Sequence, residues 1–474
     1  MKRWPIDKLV PGAIAAAAVA ALSLWLLTTW AAPATPRTPG RDQAHASPGG
    51  AAPLRPAHHE RVHEFIAGTG RPTDLAGSWS GFRGDHRDGI SHESVALSRQ
   101  WSASEPTQLW AVDVGEGYAG PVIRNGRIYL LDYDREHQAD ALRCISPADG
   151  SDIWRYHYSV KVKRNHGMSR TVPAVTDAIV VTLGPKCHVL CVDATTGERK
   201  WFLDLVRDHG ATVPPWYAGQ CPLIDGDRVI LAPGGPDALM MAVDCRTGEV
   251  IWRTPNPRGW KMTHASIVTM QLDGQQTYVY CGNGGVVGVS AENGAILWQT
   301  DAWRIDIANI TSPLVIGDGR IFLSGGYGAG SMMLQVRASD DGYVAKPLFR
   351  LDPEVFGAAQ QTPILHDGLI YGIRPDGQLT CLELSGAIRW TSGAANRFGL
   401  GPLLIADGVI FAMDDSGNLS LAEASRQAYR PLAHAKVLHG EQSWGPMALA
   451  GGRLFVRDYA RMACLDVAVL TLDK

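Results

Sequence analysis

The stretch VLCVDATTGERKW (Val189–Trp201) decides the fold. Its apolar residues alternate as in a pleated strand as far as Asp193, Gly197 supplies the positive φ of a tight turn, and a second strand opens at Trp201. The same strand, glycine turn and Trp strand recurs in ALRCISPADGSDIW to Trp154, LMMAVDCRTGEVIW to Trp252, GVVGVSAENGAILW to Trp298 and QLTCLELSGAIRW to Trp390. Five copies of one hairpin identify a repeat protein.

A second recurring hairpin precedes each Trp hairpin. It opens with a small residue or proline and joins two short apolar strands by a polar turn. Its eight copies start at Gly120, Val172, Cys221, Ala265, Ser312, Thr362, Gly401 and Gly445. The spacing averages about 46 residues, and four strands repeated at that period are typical of a β-propeller. The sequence therefore predicts an all-β, eight-bladed β-propeller with four-stranded blades.

The two ends of the repeat array indicate how the ring closes. After Pro446 the last blade has only three strands, whereas Gln108–Val114 is a Trp strand with no blade in front of it. Pairing the N-terminal strand with the C-terminal blade completes the eighth blade and leaves no free edge between the ends. Trp110 is then the eighth blade's equivalent of Trp154. Two blades, around Ser331–Phe349 and Asn418–Leu432, keep their strands but lack the Trp turn.

The repeated tryptophans and cysteines have a packing explanation. A Trp at the outer end of a blade can cover the neighbouring blade's turn, which we expect in preference to cofactor binding. One repeat position holds a small residue in every copy, and this indicates a small buried slot, not a disulfide framework. The residues there are Cys144, Cys191, Ala242, Gly288, Cys381 and Cys464. The pairing state of Cys187, Cys221, Cys245 and Cys281 stays open.

The N-terminal region differs in composition from the repeats. Lys2, Arg3 and Lys8 precede the apolar stretch Ala13–Trp30, which is long enough to cross a bilayer. We assign residues 1–32 to a signal anchor or signal peptide, 33–75 to a Pro/Ala/Gly-rich tether and 76–470 to the propeller. An uncleaved anchor would place the propeller on the periplasmic or external side of the inner membrane, and a cleaved signal would release it as a secreted protein.

The charge balance of the chain argues against a nucleic-acid partner. Lys and Arg number 44 and Asp and Glu 47, a net charge of −3. A nucleic-acid-binding surface is therefore not indicated, and no nucleic-acid partner is expected.

The candidate site lies at one end of the propeller axis. The first strand of every blade should line the axis, so the residues just before each first strand converge on one mouth. These residues are rich in cations and aromatic rings, which suits an anionic, planar or sugar-like small molecule or a protein partner. The candidate ligand-binding residues are Tyr118, Asn165, His166, Arg170, Trp216, Tyr217, Gln220, Lys261, His264, Asn309, Gln361, Arg397 and Trp444. The alternative is that they are loop residues that satisfy one another.

Other motifs indicate neither catalysis nor a metal site. GGYGAG (Gly325–Gly330) joins two strands, so we expect a turn in place of a phosphate loop. The acidic turns Asp132–Glu136 and Asp414–Asp415 are expected to be solvated hairpin tips. His157, His188 and His366 show no ligand-like spacing. No catalytic residue and no metal ligand is predicted.

The pattern Cys191–Trp201, repeated at Ala242–Trp252, resembles the pyrroloquinoline-quinone-type repeat of quinoprotein-like β-propellers. The segment WSGFRGDHRDGIS (Trp79–Ser91) is similar to the lead-in of bacterial members, and membrane-anchored members are the nearest in character. The resemblance implies either a quinone-dependent dehydrogenase that holds pyrroloquinoline quinone (PQQ) with Ca²⁺, or a non-catalytic envelope-assembly propeller. The sequence lacks the adjacent cysteines of many such dehydrogenases and shows no Asp in the ring of candidate residues.

We therefore expect an exported, membrane-tethered propeller that acts as a ligand-binding or protein-interaction scaffold, and not an enzyme. The alternative is a PQQ-dependent alcohol or sugar dehydrogenase whose quinone contacts would be His166, Arg170 and Lys261. No cofactor is predicted for the scaffold.

Overall fold

The computed structural model describes residues 62–101, 105–164, 167–340 and 342–469. These residues form eight β-sheets and one short helix, α1 (Leu205–His209). The predicted all-β, eight-bladed propeller with four-stranded blades is confirmed. The predicted N-terminal membrane segment lies outside the described residues, and within them no helix is both long and apolar enough to span a bilayer.

Each of the first four blades is an antiparallel meander. Blade one has β4 (Val122–Arg124), β5 (Arg127–Asp134), β6 (Ala139–Ile145) and β7 (Asp152–Ser159), with β1 (His63–Ala67) added outside β7. Blade two has β8 (Ala174–Val175), β9 (Ile179–Leu183), β10 (His188–Asp193) and β11 (Arg199–Asp204). Blade three has β12 (Leu223–Asp225), β13 (Arg228–Leu231), β14 (Met241–Asp244) and β15 (Val250–Arg253). Blade four has β16 (Val268–Leu272), β17 (Gln275–Gly282), β18 (Gly285–Ser290) and β19 (Ile296–Thr300).

The remaining blades follow the same plan. Blade five has β20 (Leu314–Gly317), β21 (Arg320–Gly325), β22 (Gly330–Ser339) and β23 (Gly342–Leu351). Blade six has β24 (Ile364–His366), β25 (Leu369–Ile373), β26 (Leu379–Glu383) and β27 (Ile388–Thr391). Blade seven has β28 (Leu403–Ala406), β29 (Val409–Met413), β30 (Asn418–Glu423) and β31 (Pro431–Lys436), with β2 (Ile90–Ser91) parallel to β28. Blade eight has β32 (Ala448–Ala450), β33 (Arg453–Arg457), β34 (Arg461–Asp466) and β3 (Thr107–Asp113).

Blade eight shows the predicted ring closure. The N-terminal strand β3 pairs antiparallel with β34, and Trp110 lies opposite Cys464. This is the register of Trp154 with Cys144 in blade one. The pairing leaves no free strand edge between the two ends of the repeat array.

The repeated Trp packs on the next blade as predicted. A Cβ added to Gly197, in the turn of blade two, would lie 2.8 Å from the Trp154 ring of blade one. The Trp201 ring covers Gly248 of blade three in the same way, and its indole N–H donates to the Cys245 carbonyl over 2.8 Å. In blade five, which lacks the Trp turn, Phe349 takes the place of the Trp and covers Gly386 of blade six. Glycine is required at these turns because a side chain would collide with the ring and because φ is positive.

The small slot opposite each Trp is also confirmed. Cys144, Cys191, Cys381 and Cys464 each pair in register with the Trp of their own blade, as do Ala242 and Gly288. A Cβ at Gly288 would lie 2.1 Å from the Trp298 ring. All eight cysteines are buried free thiols, and this answers the open question about the other four.

A ring of hydrogen bonds links the starts of the inner strands, and we call it the girdle. The first strands of several neighbouring blades contact one another around the axis. In blades two to five, a backbone N–H just before the first strand donates to a side chain at the same position of the next blade. The links are Val172 N to Cys221 Sγ (3.2 Å), Cys221 N to Ser266 Oγ (3.0 Å), Ser266 N to Ser312 Oγ (2.9 Å) and Ser312 N to Thr362 Oγ1 (3.0 Å). These side chains satisfy buried N–H groups that the sheets leave unpaired.

Residues 79–91 form a strap across the end of the channel where the inner strands finish. Trp79 bridges to Ile123 of blade one, and the Val175 N–H of blade two donates to the Ser80 carbonyl. On the far side of the channel the Arg83 guanidinium donates to the carbonyls of Thr362 (2.7 Å) and Pro363 (3.0 Å). Burial lowers the pKa of Arg83 to about 10, so this side chain remains a cation at neutral pH. The strap therefore spans this end of the channel from blades one and two to blade six.

A cavity of 440 Å³ lies between the strap and the girdle residues of blades three to five. Its lining includes Phe82 of the strap and Cys221, Ser266 and Ser312 of the girdle. The strap and the inner strands thus enclose this cavity only in part.

The strand β1 lies within residues 33–75, which the sequence analysis assigned to the tether. It pairs with β7 over its whole length, from His63 opposite Tyr158 to Ala67 opposite Trp154. The first described strand therefore begins at residue 63, whereas the composition predicted that the propeller begins at residue 76. The low apolar content that suggested a tether does not prevent an edge strand, because the pairing is made by backbone groups.

We predict that Trp201→Ala lowers the free energy of unfolding by about 3–5 kcal/mol, because it empties the space over Gly248. Trp201→Phe keeps most of the buried area but leaves the Cys245 carbonyl unpaired, and it should cost about 1–3 kcal/mol. Urea denaturation measures both values. The exposed Ile251→Ala is the control and should change stability by about 0.5 kcal/mol or less. A Trp201→Ala protein as stable as this control would contradict the packing role.

Candidate functional site

The candidate site is the mouth at the open end of the channel, where the inner strands begin. Two kinds of loop meet there. One is the loop before each inner strand, which the sequence analysis identified. The other is the turn between the second and third strands of each blade, which returns to the same end because the blade is a meander. This second set supplies Tyr327, Asp415 and Tyr459.

Arg170 is the central cation of the mouth. Its guanidinium carbon lies 5.9 Å from the ring centroid of Tyr118. It also interacts electrostatically with Tyr459, Tyr217 and Tyr327, which come from blade eight, the loop before blade three and blade five. Burial lowers the pKa of Arg170 to about 10, so it still carries its charge at pH 7. Side chains of several blades thus converge on one cation, as the repeat pattern predicted.

Tyr118 joins blades one and eight at the mouth. Its ring stacks on Trp444 with centroids 5.3 Å apart, and its hydroxyl donates to the Gln442 side chain. Tyr459 lies 5.6 Å from the same ring and itself contacts Arg164, whose guanidinium carbon is 5.9 Å from its centroid. These rings and the two arginines form one continuous aromatic and cationic patch. Offset rings and Arg–ring contacts of this kind favour flat or anionic groups.

Trp216, Tyr217 and His264 form the opposite part of the mouth. The Trp216 and His264 rings are 6.2 Å apart, and the Tyr217 hydroxyl donates to the Lys163 carbonyl over 2.7 Å. His264 is buried, and its Nε2 has no hydrogen-bond partner among the described residues. Burial lowers the pKa of His264 to about 3, and the neighbouring Arg170 charge acts in the same direction. The imidazole is therefore neutral at physiological pH.

Three of the predicted ligand-binding residues are buried among protein groups. The Gln220 side chain accepts from the Ala232 N–H and donates to its carbonyl. The Gln361 amide donates to the carbonyls of Gly399 (3.0 Å) and Gly401 (2.8 Å). Asn309 is 2% exposed, and its backbone carbonyl accepts from the backbone N–H of His264. Gln220 and Gln361 thus follow the alternative interpretation, in which loop residues satisfy the blade tops.

Two further predicted residues lie outside the cluster around Arg170. Lys261 and Arg397 are exposed: the Lys261 N–H donates to Asn283, and Arg397 bridges to Gln378 of blade six. Asn165 and His166 lie outside the described residues, so their assignment stays a prediction.

The candidate residues before the inner strands include no Asp, but an Asp from the second kind of loop does lie at the mouth. The Asp415 carboxylate accepts from the Trp444 indole N–H (2.6 Å) and the Leu400 N–H (2.8 Å). Asp415 follows β29, not an inner-strand start, so the search before each first strand missed it. A search that included the turns between the second and third strands, which reach the same end of each blade, would have found Asp415. It would also have found Tyr327 in the GGYGAG turn. Glu116 forms ion pairs with Arg135 (2.9 Å) and Arg164 (3.0 Å).

The resemblance implies a Ca²⁺-held quinone at the mouth. Ca²⁺ needs six to eight oxygen ligands. The two carboxylates described above are already bonded to arginines, an indole and a backbone N–H. Among the described residues around Arg170, no three His, Cys, Asp or Glu side chains lie close enough together to share a metal ion. The described residues around Arg170 therefore do not fit this cofactor.

The ring of Trp-hairpin blades with its basic, aromatic mouth defines a quinoprotein-like eight-bladed propeller. The sequence profile described as "Outer membrane protein assembly factor BamB" matches residues 138–392, more than half of the 474-residue chain. The chain belongs to this family of PQQ-type repeat propellers.

Curated relatives share the repeat at low identity. The outer membrane protein assembly factor BamB of Yersinia pestis is 22% identical over 323 residues, which cover 64% of this chain and 76% of that protein. The serine/threonine-protein kinase AfsK of Streptomyces griseus is 29% identical over 160 residues, 32% of this chain and 18% of the kinase. The 1-butanol dehydrogenase (quinone) of Thauera butanivorans is 25% identical over 169 residues, 34% of this chain and 25% of the enzyme. The chain thus spans only a small part of the kinase and the dehydrogenase.

The crystal structure of BamB from Moraxella catarrhalis has the same fold. It superposes with a TM-score of 0.51 at 13% identity and covers 76% of this chain and all of that one. At this identity the likeness supports the propeller architecture alone.

The neutral, buried His264 predicts a dependence of stability on pH. An unfolded His has a pKa of about 6.5, whereas the folded value is about 3, so between these values the unfolded state binds the proton more tightly. The contribution of His264 is therefore complete above pH 6.5 and is lost as the pH falls towards 3.

We expect the stability advantage of the wild type over His264→Gln to decrease by up to about 1.4 kcal/mol per pH unit below pH 6.5. Urea denaturation at several pH values measures it. The exposed His434→Gln is the control and should leave the pH dependence unchanged. A His264→Gln protein with the wild-type pH dependence would contradict the buried, neutral assignment.

Proposed function

We propose that the protein is an exported, membrane-tethered propeller that acts as a binding scaffold in cell-envelope assembly, with the mouth as its binding surface. The family supports a scaffold, since its profile and a relative matching 64% of the chain both carry the name of an outer membrane protein assembly factor. Residues 13–30 are the proposed membrane segment, which places the propeller on the outer side of the inner membrane.

The observation that carries the choice of surface is the cluster around Arg170. Partly exposed Arg170, Tyr327 and Tyr459 lie beside the buried rings of Tyr118 and Trp444. Tyr, Trp and Arg are the residue types that dominate the energetics of protein interfaces. The strap spans the other end of the channel, whereas these aromatic and cationic side chains are concentrated at the mouth. It offers a partner flat apolar area together with positive charge, which suits an acidic or aromatic segment of a protein or a small anionic, planar or sugar-like ligand.

We predict that a photo-crosslinking amino acid at Arg164, which is 61% exposed at the mouth, captures a discrete envelope protein in living cells. The same amino acid at Asp227, on the turn after β12 at the opposite end of the channel, is the matched control and should not capture it. Tyr459→Ala should weaken the capture, because it removes one of the aromatic rings of the proposed binding surface. Equal products from positions 164 and 227, or none from 164, would exclude the mouth as the partner surface.

The same cluster predicts the effect of mutations on affinity for a captured partner. Arg170→Ala should weaken binding by at least about 2 kcal/mol, as expected for an interface hot spot, while Arg71→Ala, an exposed arginine away from the mouth, should have no effect. Binding is measured by calorimetry, and thermal melts confirm that each variant is folded. Wild-type affinity in a folded Arg170→Ala protein would contradict the proposal.

A quinone-dependent dehydrogenase is the second candidate, favoured by the match to the butanol dehydrogenase. Its proposed quinone contacts would be His166, Arg170 and Lys261. The poor fit of the described mouth residues to Ca²⁺ argues against it. We expect that purified protein incubated with PQQ and Ca²⁺ shows neither a quinone absorbance band nor alcohol- or sugar-dependent dye reduction. Either signal would overturn the scaffold proposal in favour of the enzyme.

A further inference from the structure

A cluster of metal-ligating side chains lies on blade one, apart from the mouth cluster around Arg170. Asp134 and His137 belong to the turn between β5 and β6, and His157 belongs to β7. The His137 Nδ1 and the Asp134 Oδ2 are 2.9 Å apart, and the rings of His137 and His157 have centroids 6.0 Å apart. One ligand atom from each of the three residues lies within 4.8 Å of the other two. The spacing of histidines along the sequence did not indicate this cluster.

The sheet register explains why sequence spacing hid this cluster. His157 pairs with Ala141, and Asp134 pairs with Ala139, two residues away on the same strand β6. Side chains directly opposite or two positions apart share a face of the sheet, so His157 and Asp134 project to the same side. The small Ala141 and Ala139 between them leave room for the imidazole and the carboxylate to approach.

The state of His157 is the second, independent observation. The residue is 3% exposed, and neither of its ring nitrogens has a hydrogen-bond partner among the described residues. Leaving a buried polar group unpaired is destabilising. A buried imidazole without a hydrogen-bond partner, next to a carboxylate and a second imidazole, lacks only the ion.

The charges around the cluster also favour a cation. Glu64, which pairs with His157 across β1 and β7, projects to the same face and adds negative potential. Arg155 is the nearby opposing charge, but its guanidinium is ion-paired with Asp152. The net environment of the three ligand atoms is therefore not repulsive to a divalent ion.

We propose that Asp134, His137 and His157 bind one divalent transition-metal ion of the Zn²⁺ class. Two imidazoles and one carboxylate are ligands that Zn²⁺ accepts readily, whereas Ca²⁺ and Mg²⁺ prefer oxygen ligands throughout. The ion would join the β5–β6 turn to β7, the strand on which β1 pairs.

The experiment titrates Zn²⁺ into the full-length protein, purified in detergent, stripped with a chelator and dialysed. We expect one equivalent to bind, and Co²⁺ in its place should give the visible absorbance of a low-coordinate site. His137→Ala and Asp134→Asn should each weaken Zn²⁺ binding by at least about tenfold, since the loss of even a second-shell partner has that effect. The His137 side chain is 58% exposed, so its removal should leave folding intact.

The control is His434→Ala, which removes an exposed histidine from β31 and should keep wild-type affinity. His157→Gln tests the buried ligand, and a thermal melt without metal reports whether that variant folds. Ca²⁺ added at the same concentration should not compete. Equal Zn²⁺ affinity in the wild type and His137→Ala, absence of stoichiometric binding, or displacement by Ca²⁺ would each overturn the proposal.

Discussion

The structure depends on how the inner strands satisfy the backbone groups at their starts. Around a propeller axis, blades meet edge to edge, and the N–H groups just before each inner strand are buried without a strand partner. The girdle satisfies these groups in blades two to five. Each of blades three to six supplies one small polar side chain, Cys221, Ser266, Ser312 or Thr362, that accepts from the preceding blade. Each bond contributes only about 1 kcal/mol, but its absence would leave a buried donor unpaired. The girdle thus sets the spacing and orientation of neighbouring blades.

The ring is asymmetric because three blades have glycine at the girdle position. Gly120, Gly401 and Gly445 offer no acceptor, but they allow the closest approach: a Cβ on Gly120 would lie 2.7 Å from the Pro446 carbonyl. Between blades eight and one, the buried Arg457 takes over and donates to the carbonyls of Ala119 (3.2 Å) and Gly115 (2.9 Å). This tightly packed sector carries Tyr118, Trp444 and Tyr459. The aromatic patch of the mouth therefore lies on the sector of the ring in which the buried Arg457 links blades eight and one.

The sequence was sufficient for everything that repeats. The blade number, the Trp packing, the small slot opposite Trp201 and the closing strand at Trp110 all follow from periodicity, because each copy carries the same local constraint. The mouth was found in part: Tyr118, Arg170, Trp216, Tyr217, His264 and Trp444 do come together. The pattern could not show which polar residues hydrogen-bond to the backbone of their own blade, as Gln220 does with Ala232. It also could not show contacts made across strands, such as that of Asp134 with His157, since register and not spacing creates them.

The strap has a consequence for the order in which the chain can fold. Arg83 bonds to Thr362, 279 residues later, and β3 bonds to β34 near residue 466. Both contacts involve N-terminal segments that are synthesised before their partners exist. Blades two to six need neither contact for their own sheets. They can therefore form as an open spiral before the strap and β3 have bound their partners. Contacts of such long sequence separation form slowly. Ring closure is therefore a late step that requires nearly the whole chain, and until then both the channel and an inner-strand edge remain exposed.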